Sequence, residues 1–447
     1  MRGQGTRGRT APYCAIDFGT SNSGIAVPSG SAAHPGVELV EIEPGRPTMP
    51  TAVFYGVEGL APHEAPRRLY GRAALAAYVE GQEGRLMRSM KSILGSSLVE
   101  QRTDLGAGHS VRYFDVLSGY LRQLKQGAEA QTGVAIERAV LGRPVYFVDG
   151  DTARDAKAQA ALEAAARAVG FGDVQFQYEP IAAALDYEQQ TVREELVLVA
   201  DIGGGTSDFA LLRVGPERRQ RSQRRDDILA HHGVHAAGTD FDRHIELAHL
   251  LTPCGHRSFG PPDPSGARGR EVPSAVYFDL ATWHLINTAY LPQRVAELAR
   301  MRSFYADPRQ HERLMRVLRE RLGHALAARA EEAKIALSQE ADATAAPVRI
   351  DLGVIERGLE VELTQAQASE SIEADLARIV AAARETLRRA GTYPQAIDAI
   401  YLTGGSTGLV PLVQRLAAVS PTARLVRGER FASVATGLGL HAQRVFR

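Results

Sequence analysis

The sequence predicts an α/β protein built twice over, each half opening on a strand–turn–strand with a glycine-rich turn. Residues 15–27 read AIDFGTSNSGIAV and residues 200–209 read ADIGGGTSDF. In each, an apolar strand (Tyr13–Phe18; Leu196–Ala200) delivers an aspartate, Asp17 or Asp201, straight into a Gly/Thr/Ser turn. A second apolar strand, Gly24–Val27 or Phe209–Val214, then leaves the turn. The third observation is residues 401–411, YLTGGSTGLVP, which read as a strand, a Gly-Gly-Ser turn and a helix over about Pro411–Ala418. Two strand–turn–strand units separated by helix-rich stretches are how a duplicated α/β fold reads.

The elements follow in order. MRGQGTRGRT (residues 1–10) carries three arginines and no apolar core, so it reads as a disordered lead-in and not a signal peptide. Gly36–Gly59 mixes short β-like runs, Val37–Ile42 and Ala52–Tyr55, with turn-marking Pro44, Pro47 and Pro50. Residues 71–96 read as a helix with Arg85, Arg88 and Lys91 at helical spacing. Asp151 or Thr152 caps a helix running to Val169, which Gly170 and Gly172 stop. Val197–Val199 is a continuous apolar run, as in a strand buried on both faces. Glu217–Asp227 holds five arginines within eight residues between two strand-like runs. It reads as a solvated hairpin loop in preference to a nucleic-acid patch. Residues 253–273, with five prolines and four glycines, form a loop insertion, and residues 292–338 read as two long helices. Lobe I is assigned to 11–190 plus 425–447 and lobe II to 191–424, the latter including a helical subdomain over 244–338.

Composition narrows the class. With 447 residues the chain is long enough for several domains and a core that folds unaided. Lys+Arg and Asp+Glu are both 52, so no global field draws it to nucleic acid or an anionic membrane. Two cysteines, Cys14 and Cys254, are too few for a disulfide scaffold. No apolar run approaches the ~18 residues of a membrane span. The reading is a soluble, cytoplasmic protein.

The turns point to phosphate. Glycine lets backbone N–H groups close on an anion, and the hydroxyls of Thr20, Ser21, Ser23, Thr206 and Ser207 add donors. Asp17, Asp201 and Asp208 can hold a hydrated Mg²⁺, acting through its waters. The third turn aims a helix N-terminus at an anion. Together the three turns read as a nucleotide clamped between two similar halves. His231, His232 and His235 lack an acidic or cysteine partner at ligand spacing and are not read as a metal site. The lone Trp283 is expected to pack within the insertion.

This arrangement resembles the actin-like ATPase superfamily (two ribonuclease H-like lobes about a nucleotide cleft), and within it the 70-kDa heat-shock, DnaK-type, chaperone family. The resemblance runs from about Tyr13 to Ala442. It includes LGRPVYFVD (141–149), EPIAAALDY (179–187), GTDFDR (238–243) and AEEAKIALS (330–338). The most similar members are short, YegD-like ones that end with the nucleotide domain. The resemblance implies ATP or ADP with Mg²⁺. Gly19, Thr20, Ser21, Asn22, Gly203, Gly204, Gly205, Gly404, Gly405 and Ser406 would cradle phosphate, with Glu331, Lys334 and Ser338 toward the nucleoside. Glu179, Asp201, Asp208 and Thr206 would arrange the attacking water.

Three departures from the family pattern stand out. The segment GRAAL places Leu75 where the family's phosphate-facing lysine is expected, with Arg72, Arg88 and Lys91 as nearby candidates to replace it. Loss of that cation predicts very slow or undetectable hydrolysis, which Leu75→Lys should raise. Ile335 and Gly408 stand where the family has base-stacking arginines, so selectivity for adenine should be weak. After FASVATGLGLHA (431–442), which reads as the helix returning to lobe I, no peptide-binding β-sandwich is expected.

The sequence thus predicts a nucleotide-binding, chaperone-like switch with slow ATP hydrolysis. It acts on a protein partner or client of unassigned identity, with no nucleic acid and no membrane. A non-hydrolysing binding module is the alternative. A filament-forming actin relative is disfavoured by residues 51–125 and the 244–338 insertion. A sugar or acid kinase is disfavoured because no catalytic aspartate context replaces EPIAAAL.

Overall fold

A computed structural model describes residues 12–30, 35–61, 63–221, 224–339 and 346–446; the expected lead-in, residues 1–10, lies outside them. The chain divides into two compact units. One comprises Met1–Ala236, Ile379–Thr407 and Gln414–Arg447, the other Ala237–Arg378 and Gly408–Val413.

The duplication is plain in the first unit's sheets. Strand Tyr13–Phe18 pairs in parallel with Arg138–Arg143, which pairs in parallel with Asp173–Tyr178. On its other side it pairs antiparallel with Asn22–Gly30, which pairs antiparallel with Pro35–Leu39. Strand Glu195–Ile202 repeats every one of these relations. It runs parallel to Ala399–Thr403 and on to Arg424–Arg427, and antiparallel to Ser207–Val214 and on to Ile228–Val234. Crossover helices Thr152–Ala168 and Val410–Ala417 join the parallel strands. A helix follows each last strand, Glu179–Glu188 in the first half and Ser433–Val445 in the second. The predicted fold class is the observed one.

Small side chains draw these last two helices together. Ala182, Ala183 and Ala184 are buried on one, and a Cβ added at Gly437 of the other would clash with the Ala182 carbonyl. Ala15, Ala26 and Val140 from one sheet and Val197, Val199 and Ala210 from the other meet the helices in a single apolar core. That shared core puts both sheets in one compact unit. The division by compactness falls at Ala236.

Three local expectations differ. Residues 71–96 are not one helix. The helix spans Gly71–Val79, Gly81 turns the chain with φ 74°, and Gly84–Arg88 returns as a strand antiparallel to Ala52–Gly56. A single 3-10 turn, Met90–Ile93, follows. Residues 292–338 form three helices, Pro292–Ala299, Pro308–Arg319 and Gly323–Gln339, because Asp307 caps the Arg309 N–H and Pro308 starts a fresh helix. The arginine run is not simply solvated. Arg224 donates twice to Glu188 at 2.8 Å, and Arg218 and Arg224 both pair with Asp227. Glu188 and Asp227 are buried, so their carboxylates are neutralised where water cannot reach them. Residues 222 and 223 of this run lie outside the described residues.

Within the second unit, helix Gly238–Ile245 continues through a π turn, Glu246–Leu250. Trp283 stacks near His324 at 5.2 Å between ring centroids, inside this unit as expected. No described helix is long and apolar enough to cross a membrane.

Candidate functional site

Each half's central strand stops at its glycine turn, and the two turns touch. A Cβ on Gly205 would lie 2.6 Å from Thr20 Oγ1, and one on Gly204 3.0 Å from Ser21 Cβ. Glycine is required there by close approach alone. Gly203 N donates to Thr206 O at 3.0 Å, closing the second turn on itself. The third turn joins through Ser406 Oγ, which donates to Gly203 O at 2.7 Å. Gly404, at φ 86°, lies against the backbone of Ile202, and Gly405 follows it in the same turn. Asn22 opens the return strand of the first hairpin, with its carbonyl packed on Gly19. The structure therefore brings the turn residues expected at phosphate together within the first unit.

Thr51 is a member that sequence reasoning missed. Its hydroxyl donates to Gly19 O at 2.8 Å and lies 2.9 Å from Ser23 Oγ, while its N–H donates to Ser21 O at 2.8 Å. It fixes the first turn from outside. A threonine just after Pro50 gives no signal of this from sequence.

Behind the turns stand four carboxyl groups around one ammonium. Asp17 is the last but one residue of the first central strand, opposite Gly24, and Asp201 holds the same place in the second, opposite Asp208 and beside Thr403. Glu179 is the buried first residue of its helix, fixed by Pro180. Lys91 Nζ donates to Glu179 Oε1 at 2.6 Å, both side chains being buried. Val145 N donates to Asp208 Oδ1 at 2.7 Å, which gives the LGRPVYFVD motif a physical role.

Burial dominates the electrostatics. It pushes Asp17 up to about 7, helped by the charge of Glu179 and opposed by Lys91. Asp208 is likewise pushed up to about 7 by burial and Glu179, against the Thr206 hydroxyl and the Val145 N–H. Asp201 is raised well above the usual carboxylate range by burial and then by Glu179, Asp17 and Asp208. For Lys91, burial opposes the charge, but Glu179 and Asp17 outweigh it and hold the ammonium above its ordinary range. The carboxyl groups thus compete for too little positive charge, a state that favours arrival of a cation. Asp208 Oδ2 and Thr403 Oγ1 are buried without a hydrogen-bond partner. Among the described residues, no three His, Cys, Asp or Glu side chains stand close enough to hold a metal directly.

The expectation built on Leu75 is overturned. Leu75 packs against the small apolar cluster of Ala52, Phe54, Ala74, Ala77 and Leu86, and Arg72 is paired with Glu43. Lys91 is the cation at the carboxylates. The strand Gly84–Arg88 carries the chain there, and of the three candidates Arg72, Arg88 and Lys91 it is the last that pairs with Glu179.

A family model described as Hsp70 protein matches residues 13–251 and 303–421. The chain belongs to the Hsp70 family. Among curated relatives, a chaperone protein DnaK of Thermosipho melanesiensis is 32% identical over 232 residues, 52% of this chain and 34% of that protein. A chaperone protein HscA homolog of Chromobacterium violaceum is 31% identical over 264 residues, 54% of this chain and 38% of that protein. A DnaK of Thermotoga petrophila is 32% identical over 241 residues, again 52% of this chain and 34% of that protein. The match therefore spans little more than a third of the length of these relatives.

The remaining expected residues of this Hsp70 member, Glu331, Lys334 and Ser338, stand on helix Gly323–Gln339 in the second unit. Lys334 pairs with Asp242 at 2.6 Å and donates to Gly238 O at 3.2 Å, joining the AEEAKIALS and GTDFDR motifs. Ser338 Oγ donates back to Ile335 O at 2.8 Å, and Ile335 is exposed.

Proposed function

We propose that this chain binds ATP or ADP with Mg²⁺ and hydrolyses ATP slowly, as a nucleotide-dependent switch acting on a partner or client protein. The observation that carries the reading is Lys91 buried against Glu179, among Asp17, Asp201 and Asp208, directly behind three converging glycine turns. Turn N–H groups, that of Ser406 among them, and the hydroxyls of Thr20 and Ser21 hold the phosphates, since such concave N–H sets suit anions.

Four carboxyl groups and one ammonium cannot hold a triphosphate by charge alone, so the nucleotide enters with its cation. The buried, unpartnered Asp208 Oδ2 and the raised Asp17 and Asp201 suit a hydrated Mg²⁺ held through its waters. Held there by Asp17, Asp201 and Asp208 through its waters, such an ion would supply positive charge to the phosphate oxygens. The protein's own part is positional. Glu179, Asp201, Asp208 and Thr206 order the attacking water, and Lys91 supplies positive charge where the transferred phosphoryl group becomes most anionic. Glu331, Lys334 and Ser338 are proposed on the nucleoside side.

The switch reading assigns lobe I to 11–190 with 425–447 and lobe II to 191–424, with occupancy changing lobe closure and the surface offered to a partner. The non-hydrolysing alternative loses its support, because it rested on Leu75. A radiolabelled ATP time course on the purified chain, with Asp201→Asn as control, tests the proposal. Slow turnover that vanishes in the control supports it, and turnover indifferent to Asp201 refutes it.

A further inference from the structure

The segment after strand Arg424–Arg427 brings a ring to the third glycine turn. Phe431 is 49% exposed, while Ser433, Val434 and Ala435 just beyond it are buried. An aromatic ring holds much apolar area, so leaving half of one in water forgoes stabilisation. The exposure does not come from a loose backbone. Gly428 N donates to Leu402 O at 2.9 Å, continuing the sheet ladder. Glu429 O accepts from Ala432 N and Ser433 N, both at 3.2 Å, and from Ser433 Oγ at 3.0 Å. The ring is seated by a glycine: a Cβ on Gly405 would lie 2.8 Å from Phe431 Cε1 and 3.3 Å from Cζ. One edge therefore rests on the turn between Gly404 and Ser406, and about half of the residue is left to solvent.

We infer that Phe431 is the stacking platform for the base of the nucleotide whose phosphates lie at these turns. The inference rests on the nucleotide reading and names the residue that holds the ligand's aromatic end. Stacking on a ring face needs no hydrogen-bond pattern, so it accepts any base. A ring carried on a backbone already held by these hydrogen bonds loses less freedom when the ligand arrives.

The test titrates the full chain with Mg²⁺-ATP and, separately, with Mg²⁺-tripolyphosphate, which has phosphates but no base. Phe431→Ala is expected to weaken ATP at least ~5-fold, the lower end of a stacking contribution, and to leave tripolyphosphate unchanged. Phe431→Leu, which keeps an apolar cover on Gly405 without a ring face, should behave like the alanine variant. Phe431→Trp should bind ATP like the natural chain, with its added fluorescence quenched by ATP and not by tripolyphosphate; Trp283, the natural chain's one tryptophan, is a constant background. Equal losses for both ligands, or a leucine variant matching the natural chain, would overturn the stacking role and leave nucleotide binding intact. Failure of the natural chain to bind either ligand would overturn the nucleotide reading and this inference with it.

Discussion

Replacing Lys91 with methionine separates the cation's chemistry from its packing, since methionine keeps most of the apolar stem. The ammonium lies 2.6 Å from Glu179. At an effective dielectric constant of ~20, a unit pair that close attracts by about 6 kcal/mol. Desolvating the two ions offsets much of this, so the measurable loss is that of breaking a buried pair, about 3–5 kcal/mol. The loss should be smaller at pH 6 than at pH 8, because neighbouring carboxyls pushed up to about 7 can take a proton in place of the cation. For the reaction, removing one preorganised group facing transition-state charge typically costs 10²–10³ in rate, so single-turnover hydrolysis should fall at least ~100-fold. Mg²⁺-ATP binding should survive. Leu75→Lys, at a half-buried position packed against a separate apolar cluster, should not raise the rate. The assay is one radiolabelled ATP time course on the three proteins at saturating enzyme. Hydrolysis by Lys91→Met within about twofold of the natural chain, a change under ~0.5 kcal/mol, would refute the role of Lys91. A tenfold gain in Leu75→Lys would restore the discarded sequence reading.

Three further outcomes follow from the same geometry. Asp17 and Asp208 are held at about 7 when folded, against about 3.9 for an ordinary aspartate. The folded state therefore holds more protons than the unfolded one over that interval. Their contribution is fully present below about pH 4 and is lost as pH rises through about 7, by up to ~1.4 kcal/mol per pH unit for each proton. Urea unfolding of the nucleotide-free protein from pH 5 to 8 should show falling stability, and a steady rise would contradict the cluster's charge state. Gly437→Val drives a branched side chain into the Ala182 carbonyl and should cost about 3 kcal/mol or more, read as a lowered urea midpoint; an unchanged midpoint would mean the two central helices can part freely. With Ile335 exposed and Gly408 lacking a side chain, GTP should compete with ATP within about tenfold, or ~1.4 kcal/mol, in competition titrations. A much stronger preference for ATP would require hydrogen bonds to adenine that these positions do not supply.

What was legible in the sequence was local. Strand Tyr13–Phe18, its aspartate and its glycine turn fall within one short segment, and the same holds for Glu195–Ile202 and its turn. The duplicated fold follows from reading the two alike. The cap at Asp151 was also legible, since its side chain accepts from Arg154 N three residues on. What escaped were partnerships between distant residues. Lys91 meets Glu179 across 88 residues, and a helical reading of 71–96 left it one of three candidate cations. Gly81 and Gly84, flanking a turn before the apolar pair Leu86 and Met87, were the available signal that a strand begins there. The arginines of 217–227 read as solvated because their partner Glu188 lies 36 residues before Arg224. Phe431 carried no signal at all until its ring was placed on Gly405.

The central claim is that the converging turns of the first unit hold a nucleotide's phosphates. Calorimetric titration with Mg²⁺-ATP and Mg²⁺-ADP, on the natural chain and on Gly204→Val, tests it most directly, because a valine there collides with Ser21 and closes the space the phosphates need. The account predicts saturable binding of both nucleotides by the natural chain and none by a folded Gly204→Val. Absence of heat from the natural chain at millimolar nucleotide, or undiminished binding by the valine variant, would contradict it.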